Sequence, residues 1–482
     1  MSRLPTLLLP NLVLGSLLGL IVGCGGTSPR EAVPAHELLT EASRQAHLTS
    51  FDQIWETIRD THYDPDLNGV DWQAQYDLLR PRVEAAKTES EARAPMNALL
   101  ASLGQSHFAV LPGDVYEEIS GEAAEEENRS EPSSTGGNQG SRSVTVRPGE
   151  TAEIGGRAKP RNLDGDGTCG FEILPIDNRA IVSRVIPGSP AASANIQLGW
   201  ELVSVDGRPI ARTFDRFAGV GAQGEMALML RHSIRRRLKG DPGEQLNLTF
   251  ADGRDVEKEV TLTLGDATGF RQTLGHMPAF QVDWWIERRG DLGYFYLTGF
   301  FNPGPVRNEL EAFIAENPDL RGFIIDLRGN PGGIGFMANG LAGLFVSERN
   351  QSLGTMISRD MELNFGIYPQ AIQFEGPLAV LIDGASASTS EIMAAGLQDL
   401  GRARIFGTNT AGAALPSTFV RLPNGDGFQY AIANYVSAGG GVIEGTGVAP
   451  DEVVEPDRES LLRGVDPVIE SAKRWIAESS GS

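Results

Sequence analysis

The sequence predicts a multidomain α+β protein with an N-terminal helical segment, a β-rich middle and an α/β core. Three observations carry that expectation. Apolar residues recur at i, i+3 and i+4 in stretches such as Phe51–Asp60 and Pro95–Gly104, the spacing of amphipathic helices. Short alternating strands around an Ala251-Asp252-Gly253 turn fill the region up to Leu264. Beyond it, apolar strands alternate with amphipathic helices, the pattern of a sheet buried on both faces. At 482 residues the chain exceeds a single core. Its 41 basic against 63 acidic residues give a net charge of -22, which repels phosphate backbones and argues against nucleic-acid binding. Two cysteines, Cys24 and Cys169, exclude Cys-rich zinc modules and disulfide scaffolds.

Residues 1–23 read as an export signal, with Arg3 ahead of the apolar run Leu7–Gly23 and small residues before Cys24. Ile21-Val22-Gly23-Cys24 resembles a bacterial lipobox. That resemblance implies lipid on Cys24, a mature chain starting there, and a protein anchored to a membrane of the cell envelope, facing the periplasm or exterior. Residues 24–50 form the expected tether and 51–115 the helical domain. The acidic and Gly/Ser-rich stretch 116–165 cannot bury much apolar surface and is expected to be a linker. Asn162, Asp164 and Asp166 mimic the start of a calcium loop, but Ile173 stands where its bidentate Glu belongs, so no metal site is expected.

Residues 166–270 resemble a PDZ domain, through the Pro187-Gly188-Ser189-Pro190 helix start and the Val205-Asp206-Gly207 turn. The resemblance implies that Cys169, Gly170 and Phe171 sit in the loop receiving a peptide's C-terminal carboxylate, with the peptide added as an extra strand.

Residues 271–475 make up the expected core. In Ile382–Gly412 a buried strand ends in a Gly turn and a serine-rich segment feeds a helix, so a hydroxyl stands at a helix N-terminus, where free amides favour a developing oxyanion. Helix capping by the same serines is the plainer reading of that spacing. The stretch resembles the nucleophile motif of the C-terminal processing (tail-specific) peptidases and the tricorn protease. That family implies a crotonase/ClpP-like core with an embedded PDZ domain, and Ser388 as nucleophile. Asp326–Gly333 resembles its Gly-rich loop, so Gly332 or Gly333 is expected to join Thr389 in the oxyanion hole. The tail-specific branch uses a Ser/Lys dyad, and here Ala413 holds the Lys position. The tricorn-like branch instead places a Ser-His pair after the N-terminal helices, which falls on Ser106-His107, and a late Glu, which falls on Glu444. Histidine titrates near neutrality and suits a general base, so kcat/KM is expected to fall below a pKa near that of histidine.

The function that follows is a serine endopeptidase with no metal or organic cofactor, acting on proteins or peptides recognised through their C-termini. The alternative is a catalytically inactive PDZ-type peptide-binding protein of the same fold.

Overall fold

The computed structural model describes residues 38–113, 116, 165–217, 223–266, 269–272 and 280–479. Cys24 and most of the expected linker lie outside them. The helical region is built from α1 (Glu41–Thr61), α2 (Trp72–Glu84) and α3 (Glu89–Ala101). Each begins on a side-chain cap: Thr40, Asp71 and Thr88 accept from the amides of Ser43, Ala74 and Glu91. The expected tether boundary at 51 therefore falls inside α1. The Thr40 cap starts the helix ten residues earlier, and His47, Leu48 and Ser50 on its first turns are already buried. Strand β1 (Ala109–Leu111) follows α3 and carries the chain towards the core.

The middle unit is an antiparallel sheet of β2 (Phe171–Ile176), β3 (Arg179–Val185), β4 (Glu201–Val205), β5 (Gln245–Ala251) and β6 (Glu257–Thr263), in that spatial order with β2 at the edge. Helix α4 (Gln223–Arg237) precedes β5. Ile173, Val182, Leu202, Leu248 and Phe250 from the sheet meet Leu230 and Ile234 from α4 in one core.

The third region is organised on a sheet of β7 (Trp284–Arg289), β8 (Leu292–Leu297), β9 (Gly322–Asp326), β10 (Leu378–Ile382), β11 (Ala403–Gly407) and β12 (Glu452–Val453). All neighbours from β8 onward run parallel. Helices α5 (Pro303–Glu316), α6 (Gly335–Ala342) and α7 (Thr389–Asp399) share one core with Phe295, Phe323, Ile325, Val380 and Ile405. On the opposite face α8 (Pro467–Ser479) packs Val468, Ala472 and Ile476 against Tyr294, Ile324, Leu381 and Phe406. Alternate residues of the same strands thus feed two cores, which explains why these strands read as unbroken apolar runs. Two three-stranded sheets flank it. One pairs Ser352–Ile357 with Glu362–Gly366 and Asn434–Ser437, and the other pairs β1 with Gly427–Ala431, which in turn pairs with Ser417–Arg421. Residues Leu39–Ser482 form one compact unit. Among the described residues no helix is long and apolar enough to cross a membrane.

Candidate active site

Strand β10 ends at Ile382, and the turn 383–388 delivers Ser388 to the N-terminus of α7. Ser388 adopts φ +55° and ψ −117°, a backbone region that side chains other than glycine rarely enter. Such strand–turn–helix strain lifts a hydroxyl away from its neighbours. Three contacts hold it there. The Ser388 amide donates to Ala413 O (2.9 Å) and to Glu391 Oε2 (2.9 Å), and the Ala387 amide donates to Asn330 O (3.0 Å).

Glu391 is fully buried one turn into α7. Its carboxylate accepts from Thr410 Oγ1 (2.6 Å) and the Gly412 amide (2.8 Å) on one oxygen, and from the Ser388 and Ala413 (3.0 Å) amides on the other. Burial pushes its pKa up to about 7 against these four bonds, which favour the ionised form. Sequence reasoning passed over Glu391, although its place three residues after Ser388 is capping-box spacing.

The Gly-rich loop after β9 is pinned by Asn330. Its Nδ2 donates to Leu297 O (2.9 Å), while its own carbonyl receives the Ala387 amide and Ser390 Oγ (2.9 Å). Asn330 Oδ1 accepts the Gly332 amide (2.9 Å), so of the expected oxyanion donors Gly332 is committed elsewhere. Its contribution is steric: a Cβ there would come within 2.7 Å of Ser388 Cβ and 2.9 Å of the Thr389 nitrogen. The amides of Gly333 and Thr389 have no protein acceptor among the described residues, and Thr389 Oγ1 donates to Gly333 O (2.9 Å), holding the two together.

Ala413, at the position where a Lys dyad partner would stand, packs its methyl against Ala387 and Ala411. One residue on, the Ala414 amide donates to Glu444 Oε2 (3.1 Å). Glu444 also receives the Ser106 amide on Oε1 (2.6 Å) and Ser106 Oγ on Oε2 (2.9 Å). Ser106 Oγ lies 2.7 Å from His107 Nδ1. A hydroxyl has one proton and a carboxylate only accepts, so Ser106 donates to Glu444 and accepts from His107 Nδ1–H. The tautomer leaves the lone pair on His107 Nε2. His107 itself sits at φ +63°. His107 is half-buried, and desolvation lowers its pKa to about 4, so the imidazole is neutral at pH 7. That value lies below the ordinary histidine range expected from the sequence. Ser388, Ser106, His107 and Glu444 are thus joined through Ala413–Ala414, with no direct hydrogen bond between Ser388 and His107 among the described residues.

Cys169, Gly170 and Phe171 stand at the start of β2 and touch none of these groups by hydrogen bond. Cys169 and Phe171 are buried in the core of the middle unit, and the Gly170 amide donates to Thr168 Oγ1 (3.1 Å). Among the described residues no cluster of three His, Cys, Asp or Glu side chains is arranged to hold a metal.

Comparison with known proteins agrees with this architecture. Residues 291–454, which contain Ser388, Glu444 and the Gly-rich loop, match peptidase family S41, and residues 43–101 match the tricorn protease C1 domain. The carboxyl-terminal-processing peptidase 3 of Arabidopsis thaliana chloroplasts is 25% identical over 83% of this chain and 67% of its own length. A carboxyl-terminal-processing protease of Picosynechococcus is 26% identical over 83% of this chain and 82% of its own. The crystal structure of mature CPAF shares the fold at 14% identity, with a TM-score of 0.53 over 90% of this chain and 97% of that one. The chain is a serine-type peptidase, a hydrolase of peptide bonds. It carries the domain of peptidase family S41.

Proposed function

We propose that this peptidase works through Ser388, His107, Ser106 and Glu444, in the manner of the tricorn-like branch, rather than through a Ser/Lys dyad. The observation that carries the reading is the Ser106 hydroxyl, bonded at once to His107 Nδ1 and Glu444 Oε2. In the reaction, Ser388 Oγ attacks the scissile carbonyl while His107 Nε2 takes its proton, the contact closing when substrate is bound. The oxyanion is received by the Gly333 amide of the Gly-rich loop and the Thr389 amide at the N-terminus of α7. The proton then passes from Nε2 to the leaving amine, and water resolves the acyl-enzyme by the same path in reverse. Ser106 and Glu444 keep Nδ1 protonated and balance the transient imidazolium. A fluorophosphonate probe tests the assignment. Labelling should be lost in Ser388→Ala and fall steeply in His107→Ala; full labelling of either variant refutes it, and no labelling of the wild type under any condition favours the silent peptide binder.

The middle unit is read as a PDZ domain that captures substrate C-termini. The edge position of β2 beside α4 supports this, because an added strand needs an open edge. Glu172 of β2 pairs with Arg231 (3.3 Å) and Arg235 (2.7 Å) of α4, so a peptide entering between strand and helix displaces these pairs. Calorimetry in the Ser388→Ala background should find free-acid peptides binding more tightly than amidated ones; equal affinities refute the capture role. We further read the protein as exported and lipid-anchored through Cys24, which intact-mass analysis of membrane-extracted protein decides.

A further inference from the structure

The turn that presents His107 is held by residues the mechanism does not use. It runs from Gly104 to His107, and both of those residues have left-handed backbones at φ +63°. A non-glycine residue in that region persists only where its surroundings over-determine it. The restraint comes from the end of α1. His62, completely buried just past Thr61, donates from Nε2 to Gln105 Oε1 (2.9 Å), while its Nδ1 receives the Asp64 amide (3.1 Å) and lies 2.9 Å from the Asp64 carbonyl. Gln105 Nε2 in turn donates to Tyr63 Oη (2.6 Å). The His62 ring stacks with Phe108, the residue after His107, at 5.5 Å and 19° between planes, and with Tyr63 at 4.6 Å and 22°. Asn68 Nδ2 fixes the entry to the turn by donating to Leu103 O (2.7 Å). The Ser106–His107 dipeptide is therefore gripped on one side by Gln105 and on the other by Phe108, and both grips close on one imidazole.

We propose that His62 is a positioning residue: through Gln105 and Phe108 it sets the direction in which His107 Nε2 faces Ser388. This rests on His107 being the general base. The grip is anchored to the core as well. Arg359, in the loop between Ile357 and Glu362, donates to the carbonyls of His62 (2.9 Å), Asp60 (2.9 Å) and Arg59 (3.2 Å). Two α1 carbonyls and that of the residue capping the helix, which the helix end leaves open, are thus satisfied by a residue of the core. The end of α1 is fixed to the half of the molecule that carries the nucleophile, and His62 transmits that placement to the base.

Steady-state kinetics on a cleavable peptide, with the full chain, tests this. His62→Phe keeps a stacking ring and loses the bond to Gln105; Gln105→Ala removes the other partner at a less buried site. Both are expected to lower kcat by about 10- to 100-fold, the cost of misplacing a reacting group by about 1 Å, with KM within about threefold of wild type. His62→Gln, whose amide reaches the place of Nε2, is expected to recover kcat to within about fivefold of wild type. Turnover within twofold of wild type in Gln105→Ala overturns the proposal even if His62→Phe does not fold. So does a His62→Gln variant as slow as His62→Phe. Failure of the base assignment has a different signature, namely near-normal turnover in His107→Ala.

Discussion

Ser388 and His107 are both held in left-handed backbone conformations, and each costs about 1–3 kcal/mol relative to an unstrained residue. At Ser388 the strain is opposed by bonds from its own amide to Ala413 and Glu391. Glycine enters that region without penalty, so Ser388→Gly should be inactive yet more stable than Ser388→Ala, by about 1 kcal/mol in urea unfolding. Equal stability of the two variants would show the strain to be absent. At His107 the consequence appears in pH. A pKa lowered to about 4 keeps the base neutral in mild acid, so kcat/KM should hold its value through pH 6 and fall only towards pH 4. An acid limb centred near 6.5 contradicts the burial argument. The same lowering makes the unfolded chain bind more protons between pH 4 and 6.5, so His107 costs stability as pH falls through that window. Glu391 acts in the opposite sense: its pKa, raised to about 7, gives the folded state the extra proton, and its contribution is lost as pH rises from about 4.5 to 7. Between about 4.5 and 6.5 the two slopes oppose each other. Replacing His107 by Ala should leave Glu391 unopposed, and the variant should gain stability relative to wild type as pH drops from 7 to 5. A pH-independent difference between them would refute the linkage.

The Gly-rich loop and the turn before α7 are the elements that bring donors to one point. A Cβ on Gly332 would overlap Ser388 Cβ and the Thr389 nitrogen in a backbone at φ +101°. Gly332→Ala should therefore lower kcat by about 10²–10³-fold, the usual loss on spoiling an oxyanion hole. Gly401→Ala, at φ +64° with nothing within 4 Å, is the control, losing only about 1 kcal/mol of stability with kcat unchanged. The strands ending at Leu297, Asp326 and Ile382 declare themselves by apolar runs, whereas Ser388, Thr389, Gly333, Ser106, His107 and Glu444 stand out only through the family resemblance, because the spacing of the serines alone reads as helix capping. Less legible were the residues that fasten them. Asn330 and Glu391 are polar side chains within apolar surroundings, and nothing in local periodicity says that four donors converge on one carboxylate. The flanking sheet with Ser352–Ile357 escaped for a related reason: its pairing with Asn434–Ser437 is long-range, and strand propensity depends on such neighbours. The sequence leaves the donor open between Gly332 and Gly333, because a glycine beside such a serine signals either a donor or missing bulk; the bond to Asn330 occupies the Gly332 amide.

At the scale of the whole molecule, buried charge fastens the middle unit to the core. Asp326, wholly buried at the end of β9, accepts from Arg328 (2.9 and 2.7 Å), Arg184 of β3 (2.8 Å) and Tyr294 (2.6 Å). Burial alone would raise its pKa, but Arg328 and Arg184 hold the carboxyl well below the usual range. Arg328 continues to Asp466 (2.9 Å) at the start of α8, and Arg231 joins Glu172 to Asp383 (3.1 Å) beside the nucleophile turn. Removing one member strands the rest without compensation, so Asp326→Ala should destabilise by about 3–5 kcal/mol. A loss under 1 kcal/mol, by denaturant unfolding, would show the network to be dispensable.

Strand β1 carries a further consequence. It begins two residues after His107 and finds its partner only in Gly427–Ala431, while Ser106 waits for Glu444, 338 residues further along the chain. A ribosome adds about 5–20 residues each second, so for tens of seconds the Ser106–His107 segment exists with neither its partner strand nor the Glu444 carboxylate to orient it. On the proposed mechanism Ser388 emerges in that interval with no aligned imidazole to activate it. A peptidase working that way stays inert until the stretch carrying Glu444 has closed over the one carrying Ser106.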